Sequence, residues 1–302
     1  MSTPNSAALP RSVQHSFRFG IPAPVLCLVS MLVVQLGVAL SQPLFRPLGV
    51  EGVTFMRLAF AGLVLTVVTR PRLRGKSRRD LAAVALLGTA SGGMALLFAA
   101  AIDRIPMGTA ATIEFLGPLS VALALSRRLL DVVWAVLAGG GVVLLALIGE
   151  GAGGEALDPV GLLFAFAAAA CFCLYIVLTP RVGKVFDGFE GLAVSMAVGA
   201  LVMLPFGIGP AMHGLTTEPS PVMLVAAACG LALLFPVIPY ALEMVALRKM
   251  PRKVFSVLVS LEPGISACVG VVVLGQILGG AELVGIACVV AASMGATFTA
   301  RD

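Results

Sequence analysis

Charge is scarce in this sequence: only 12% of the 302 residues are Asp, Glu, Lys or Arg, against 59% hydrophobic residues and a mean hydropathy of +1.07. Too little polar sequence remains for an ordinary soluble domain, so the expected solvent is lipid. Strand-type alternation is missing from the apolar runs, which are about twice as long as a barrel strand, and this excludes an outer-membrane barrel. Histidine is nearly absent, with His15 in the N-terminal tail and His213 in a loop. The six cysteines all fall in apolar spans, and Cys171 and Cys173 point to different faces of one helix, so no protein-built metal site or cofactor is expected. Aspartate clusters that would hold Mg²⁺ are also lacking, which argues against an intramembrane prenyl or phospholipid transferase.

What is present is a set of apolar runs of membrane-spanning length, at 22–43, 51–69, 81–101, 107–126, 130–148, 160–179, 188–208, 221–242, 252–275 and 281–300. An all-α polytopic membrane protein of ten transmembrane helices is the expectation. The first run follows Arg11 and Arg18 as a signal peptide would, but it exceeds an h-region of about 7–15 residues. The net charge of +5 does not point to nucleic acid, because the basic residues gather in alternate loops. Arg70, Arg72, Arg74, Lys76, Arg78, Arg79, Arg127, Arg128, Arg181, Lys184, Arg248, Lys249, Arg252 and Lys253 fall on one side, and only Arg46 and Arg104 on the other. The positive-inside rule therefore predicts both termini in the cytoplasm.

The chain also repeats itself. Ala101-Ile102-Asp103-Arg104-Ile105-Pro106, with Pro118 beyond, is echoed by Ala246-Leu247-Arg248-Lys249-Met250-Pro251, with Pro263 beyond. Glu51-Gly52-Val53 opens the second span and Glu190-Gly191-Leu192 the seventh. The Gly-rich, acidic segment 149–159 is the natural linker. The expected organisation is a tail 1–21, a five-helix repeat 22–148, the linker, and a second repeat 160–300. Five is odd, so the two copies are expected to be inverted, with a binding site near the midplane between them. Small residues such as Gly139-Gly140-Gly141 and the run Ala165–Ala170 read first as close helix packing.

Four charged residues lie within spans: Arg57, Glu114, Glu243 and Glu262. Intramembrane charges are costly and mark function. Glu262 lies roughly 15 Å deep, near the middle of the bilayer, and reads either as a protonated structural hydrogen-bond donor or as a substrate or proton site. Pro263 and Gly264 follow it at once, and Ser256 and Ser260 supply nearby hydroxyls. Glu114 lies roughly 11 Å in, beside Pro118, and is not the repeat counterpart of Glu262, so an asymmetric site is expected. Arg57, roughly 9 Å in, has three readings: snorkelling to the interface, pairing with Glu114, or gripping a substrate carboxylate. Glu243 reads best as an interfacial partner of Arg248 and Lys249, while Tyr240 and Tyr175 line a path or anchor helix ends.

Several segments together resemble the EamA-type branch of the drug/metabolite transporter superfamily, and within it the RhtA-like threonine/homoserine exporters. They are Gly52-Val53-Thr54-Phe55-Met56-Arg57-Leu58, Glu114-Phe115-Leu116-Gly117-Pro118-Leu119 with Ser126-Arg127-Arg128, Pro239-Tyr240-Ala241-Leu242-Glu243-Met244, Leu261-Glu262-Pro263, and Ala291-Ala292-Ser293-Met294-Gly295. The resemblance covers nearly the whole chain. It implies two inverted five-helix repeats, residence in a bacterial inner membrane, and export of small zwitterionic amino acids in exchange for protons. Arg57, Glu114, Glu243 and Glu262 match its motif positions. Gly275-Gln276 departs from it, since many relatives carry Gly-Glu there.

The expected function is thus an exporter, not an enzyme, in which Arg57 draws the substrate carboxylate and Glu114 or Glu262 takes the ammonium group or a proton. Tyr240, Glu243 and Ser260 complete the expected site, with helix breaks at Pro118, Pro263 and Gly264. Export of other metabolites or amphipathic drugs by the same fold is one alternative, and a non-transporting scaffold protein is another.

Overall fold

A computed structural model describes residues 22–124, 129–148, 156–186 and 188–299. The expected tail 1–21, the segment 125–128 with Ser126-Arg127-Arg128, and residues 149–155 of the expected linker lie outside the described residues. The helices, in chain order, are α1 (Ala23–Ser41), α2 (Phe45–Thr69), α3 (Arg78–Ile102), α4 (Met107–Glu114), α5 (Leu116–Ala124), α6 (Leu129–Ile148), α7 (Pro159–Val185), α8 (Glu190–Thr217), α9 (Pro221–Ala232), α10 (Ile238–Lys249), α11 (Arg252–Val259), α12 (Glu262–Leu274) and α13 (Gly280–Thr299). A short π-type segment, Leu233–Val237, joins α9 to α10.

Among the described residues eight helical runs are long and apolar enough to cross a membrane, and Val132–Ile148 adds a shorter apolar helix. The stretch Ala23–Thr69 counts as one of the eight, although it contains both α1 and α2 with a kink at Gly49 (φ 70°). Large apolar side chains such as Leu63, Val68, Leu147, Val222 and Val272 face outward. An all-helical, multi-pass membrane protein follows from these helices and this outward apolar surface.

Local chemistry sets the helix ends. Ser77 and Asp80 form a reciprocal capping box at the start of α3. Asp158 caps α7, accepting from the Val160 amide at 2.9 Å, and pairs with Arg104 at 3.0 Å. The cap and the guanidinium hold its carboxyl below the usual carboxylate range. Pro106 and Pro251, the ends of the two echoed segments, each cap an eight-residue helix with nearly the same backbone angles. Both helices then break, α4 at Phe115 and α11 at Ser260–Leu261. Pro118 and Pro263 stand three and two residues past their breaks, so the Glu114 and Val259 carbonyls receive no i+4 amide.

Helix pairing follows a regular scheme. α2 packs along α8, α6 along α13 and α4 along α12. α3 packs on α7 as α10 packs on α1, and α7 meets α4 and α5 as α1 meets α11 and α12. Small residues permit the closest of these approaches. A Cβ added to Gly52 or to Gly62 would stand 2.9 Å from the amide nitrogen of Ala211 or Ala197, respectively. Ala165 and Ala168 are fully buried, whereas a Cβ added to Gly139 or Gly140 would meet nothing within 4 Å.

Candidate functional site

The pairing of α1, α3 and α7 with α4 and α10–α12 leaves a cavity of about 270 Å³ in the middle of the bundle. Its wall is mainly apolar, with Met31, Val34, Phe98, Phe172 and Val259 among its side chains. An apolar pocket with a few convergent polar groups has the general character of a small-molecule site. Arg57, Glu114, Tyr240, Glu243 and Glu262 all line it.

The polar groups are held differently. Arg57 is 5% exposed, makes no ion pair among the described residues, and stacks its guanidinium 4.8 Å from the ring centroid of Phe235. It therefore neither reaches the surface nor pairs with Glu114. Phe235 sits in the π-type segment with non-helical backbone (φ −150°, ψ 113°), and this break aims its ring at Arg57. Glu114, the last residue of α4, accepts no hydrogen bond among the described residues. Glu243 accepts from the Ser30 hydroxyl at 2.9 Å, and Ser30 also reaches the Pro239 carbonyl at 3.1 Å. Glu243 lines the cavity from α10, which packs on α1. Glu262, the first residue of α12, lies 3.4 Å from the Gln35 amide nitrogen. The Tyr175 and Tyr240 hydroxyls hydrogen-bond to each other across the cavity.

Ser260 does not join them. Its hydroxyl is buried against Ser293 at 2.8 Å and the Ser256 carbonyl at 3.0 Å. It falls in the break between α11 and α12 and turns toward α13 rather than into the cavity. Pro118 lines a separate crevice of about 210 Å³ with Ser256 and Ser293, while Pro263 is buried and Gly264 lies within α12, where an added Cβ would meet nothing within 4 Å.

Three polar residues were not singled out by sequence. Gln35 and Ser30 are neutral, and single neutral polar residues are common in apolar helices; their position at the centre of a span was the available signal. Glu282, at the very start of α13, is fully buried, accepting from Thr109 at 3.3 Å and from the Gly279 amide at 2.7 Å. It lay at the edge of an expected span, where a carboxylate reads as a loop residue. Near it, Gln276 accepts from the Met107 amide at 3.0 Å, so the start of α4 keeps the acceptor that a glutamate would offer. Among the described residues no group of His, Cys, Asp and Glu is arranged to hold a metal ion.

Comparison with known proteins yields consistent matches. Residues 159–298 match the EamA-like transporter family. The threonine/homoserine exporter RhtA of Escherichia coli K12 is 36% identical over 278 residues, covering 92% of each chain, and that of Salmonella typhimurium LT2 is 35% identical over 280 residues at the same coverage. A probable terminal-alkyne amino-acid exporter of Streptantibioticus cattleyicolor is 31% identical over 179 residues, 57% of this chain and 59% of that one. A crystal structure 22% identical in sequence shares the fold, with a TM-score of 0.55 over 92% of this chain and 97% of the other.

Proposed function

The chain belongs to the EamA-like transporter family, and from that premise we propose that it exports small zwitterionic amino acids of the threonine/homoserine type in exchange for protons. It is a transporter rather than an enzyme, and a multi-pass protein of a bacterial inner membrane. The observation that carries the reading is the convergence of one guanidinium and three carboxyls on a single buried cavity. Arg57, preorganised on Phe235 and without an ion pair among the described residues, takes the substrate carboxylate, for which a planar fork of donors is suited. Glu114, without a hydrogen-bond partner among the described residues, takes the ammonium group, and Glu262 carries the proton.

Ten crossings in two inverted halves complete the proposal. Counting α4 with α5, α9 with α10, and α11 with α12, exchanging every span for its counterpart five along carries the main helix pairings onto one another. The matching eight-residue helices after Pro106 and Pro251 support the same relation, and the loop charges support inversion with both termini cytoplasmic. Rocking of one half against the other about the cavity then gives alternating access. The three carboxyls and apolar wall also suit an amphipathic cation, which Arg57 disfavours.

The test is efflux of labelled homoserine or threonine from liposomes holding the purified protein, with and without an imposed pH gradient. Gradient-dependent flux is expected. Folded protein that moves neither amino acid would overturn the substrate assignment and turn the search to other metabolites and cationic drugs.

A further inference from the structure

Gln35 is 3% exposed, lines the cavity from α1, and carries an amide oxygen, Oε1, that is buried without a hydrogen-bond partner among the described residues. Its Nε2 faces Glu262 Oε1 at 3.4 Å, well beyond the 2.7–2.9 Å of a charge-assisted N–H···O⁻ bond. A carboxylate only accepts, so it can pair with one half of an amide and must leave the amide oxygen unmatched. Turning the amide over does not help: two oxygens would then face each other and the NH₂ would lack an acceptor. A protonated carboxyl has one donor and one acceptor, as the amide has, and the two can close a ring of two hydrogen bonds.

We infer that Gln35 and Glu262 form an acid–amide pair, and that Gln35 is the positioning residue through which the transporter holds its proton. The inference rests on the proton-coupled reading above. In the outward-open state a proton from the external water adds to the Glu262 carboxylate; the resulting O–H donates to Gln35 Oε1, while Nε2 donates to the other carboxyl oxygen. In the inward-open state the proton leaves to cytoplasmic water as the zwitterion enters, and the amide returns to its half-matched contact. The balance is one proton inward for one neutral zwitterion outward. Because Glu262 opens α12, the positive end of that helix favours the anion, while Gln35 pairs fully only with the acid. A group drawn both ways is able to cycle. The other charged or titratable groups around it are Glu243 and Tyr240 from α10, Cys27 from α1 and Glu114 from α4, with Tyr175 and Arg57 on the cavity wall.

The experiment is gradient-driven efflux from liposomes across a pH series, comparing the wild type with Gln35→Leu and with Gln35→Met, which nearly conserves volume. Loss of the pair moves the pH of half-maximal efflux downward by about one unit, a tenfold change in proton affinity, and this is distinct from a simple fall in rate. A wild-type pH profile in either folded variant overturns the pairing while leaving proton coupling intact. Wild-type efflux indifferent to the gradient overturns the proton-coupled reading itself. Should neither variant fold, pH-difference infrared spectra of the wild type and Glu262→Gln decide: an acid carbonyl band that vanishes in Glu262→Gln, with a coupled amide shift in the wild type, supports the pair, and its absence sinks it.

Discussion

At Arg57 the surroundings amount to a stacked ring, an apolar wall and carboxyls, and no ion pair forms among the described residues. A guanidinium so placed keeps its donors for a ligand. Arg57→Lys keeps the charge but loses the fork and much of the stacking, and the substrate concentration for half-maximal efflux should rise roughly tenfold, about 1.4 kcal/mol of binding. Unchanged half-saturation in the folded variant would remove Arg57 from the substrate. Glu262→Gln should abolish the dependence of efflux on a pH gradient while the thermal midpoint in detergent holds; a variant still driven by the gradient would clear Glu262 of the proton. These residues were legible because a charge inside an apolar run has few structural excuses. Gln35 and Ser30 were not, because a neutral side chain gives no such alarm and only the placing of α1 against α10 and α12 shows whom they face. Ser260 turns to Ser293 on α13, and its nearness in sequence to Glu262 gives no sign of that.

Among the elements, the broken helices set the site. α4 ends at Glu114 and α12 begins at Glu262, so both carboxyls sit where a helix is interrupted rather than along its flank. Pro263→Ala restores an amide that can reach the Val259 carbonyl and lets the helix run through. The thermal midpoint should not fall, since a good helix former replaces a breaker, but efflux should drop by roughly tenfold, about 1.4 kcal/mol in the barrier. Normal efflux would mean that the break plays no part in transport. Proline spacing made both breaks legible; Pro236, directly after Phe235, is the same kind of mark for the π-type segment, but that its irregular turn presents the Phe235 ring to Arg57 depends on the facing helix.

For the whole molecule, one end of the bundle is tied by Arg104 and Asp158, which join the loop before α4 to the start of α7. The Asp158 carboxyl is held below its ordinary value, so its contribution is present above the unfolded value of about 3.9 and disappears as pH falls through the lower folded value. The gap in thermal midpoint between wild type and Asp158→Asn, measured over a pH series, should be open at neutral pH and close in that acid window. A gap independent of pH would mean that ionisation of the Asp158 carboxyl contributes nothing to stability. Class and apolar spans were legible from hydropathy, whereas the pairing of α2 with α8 and α6 with α13 depends on contacts between distant segments that no local pattern announces.

That pairing also sorts the glycines by how replaceable they are. Gly52 and Gly62 stand where the neighbouring backbone leaves no room for one carbon, while Gly139, Gly140 and Gly209 have open space around them. In a library that converts each glycine to alanine in turn, the first set should be intolerant and the second silent or improved in yield, because alanine is the better helix former. The same amino acid is thus both the least and the most exchangeable residue of this chain, and its identity at a site predicts constraint only once the facing helix is known.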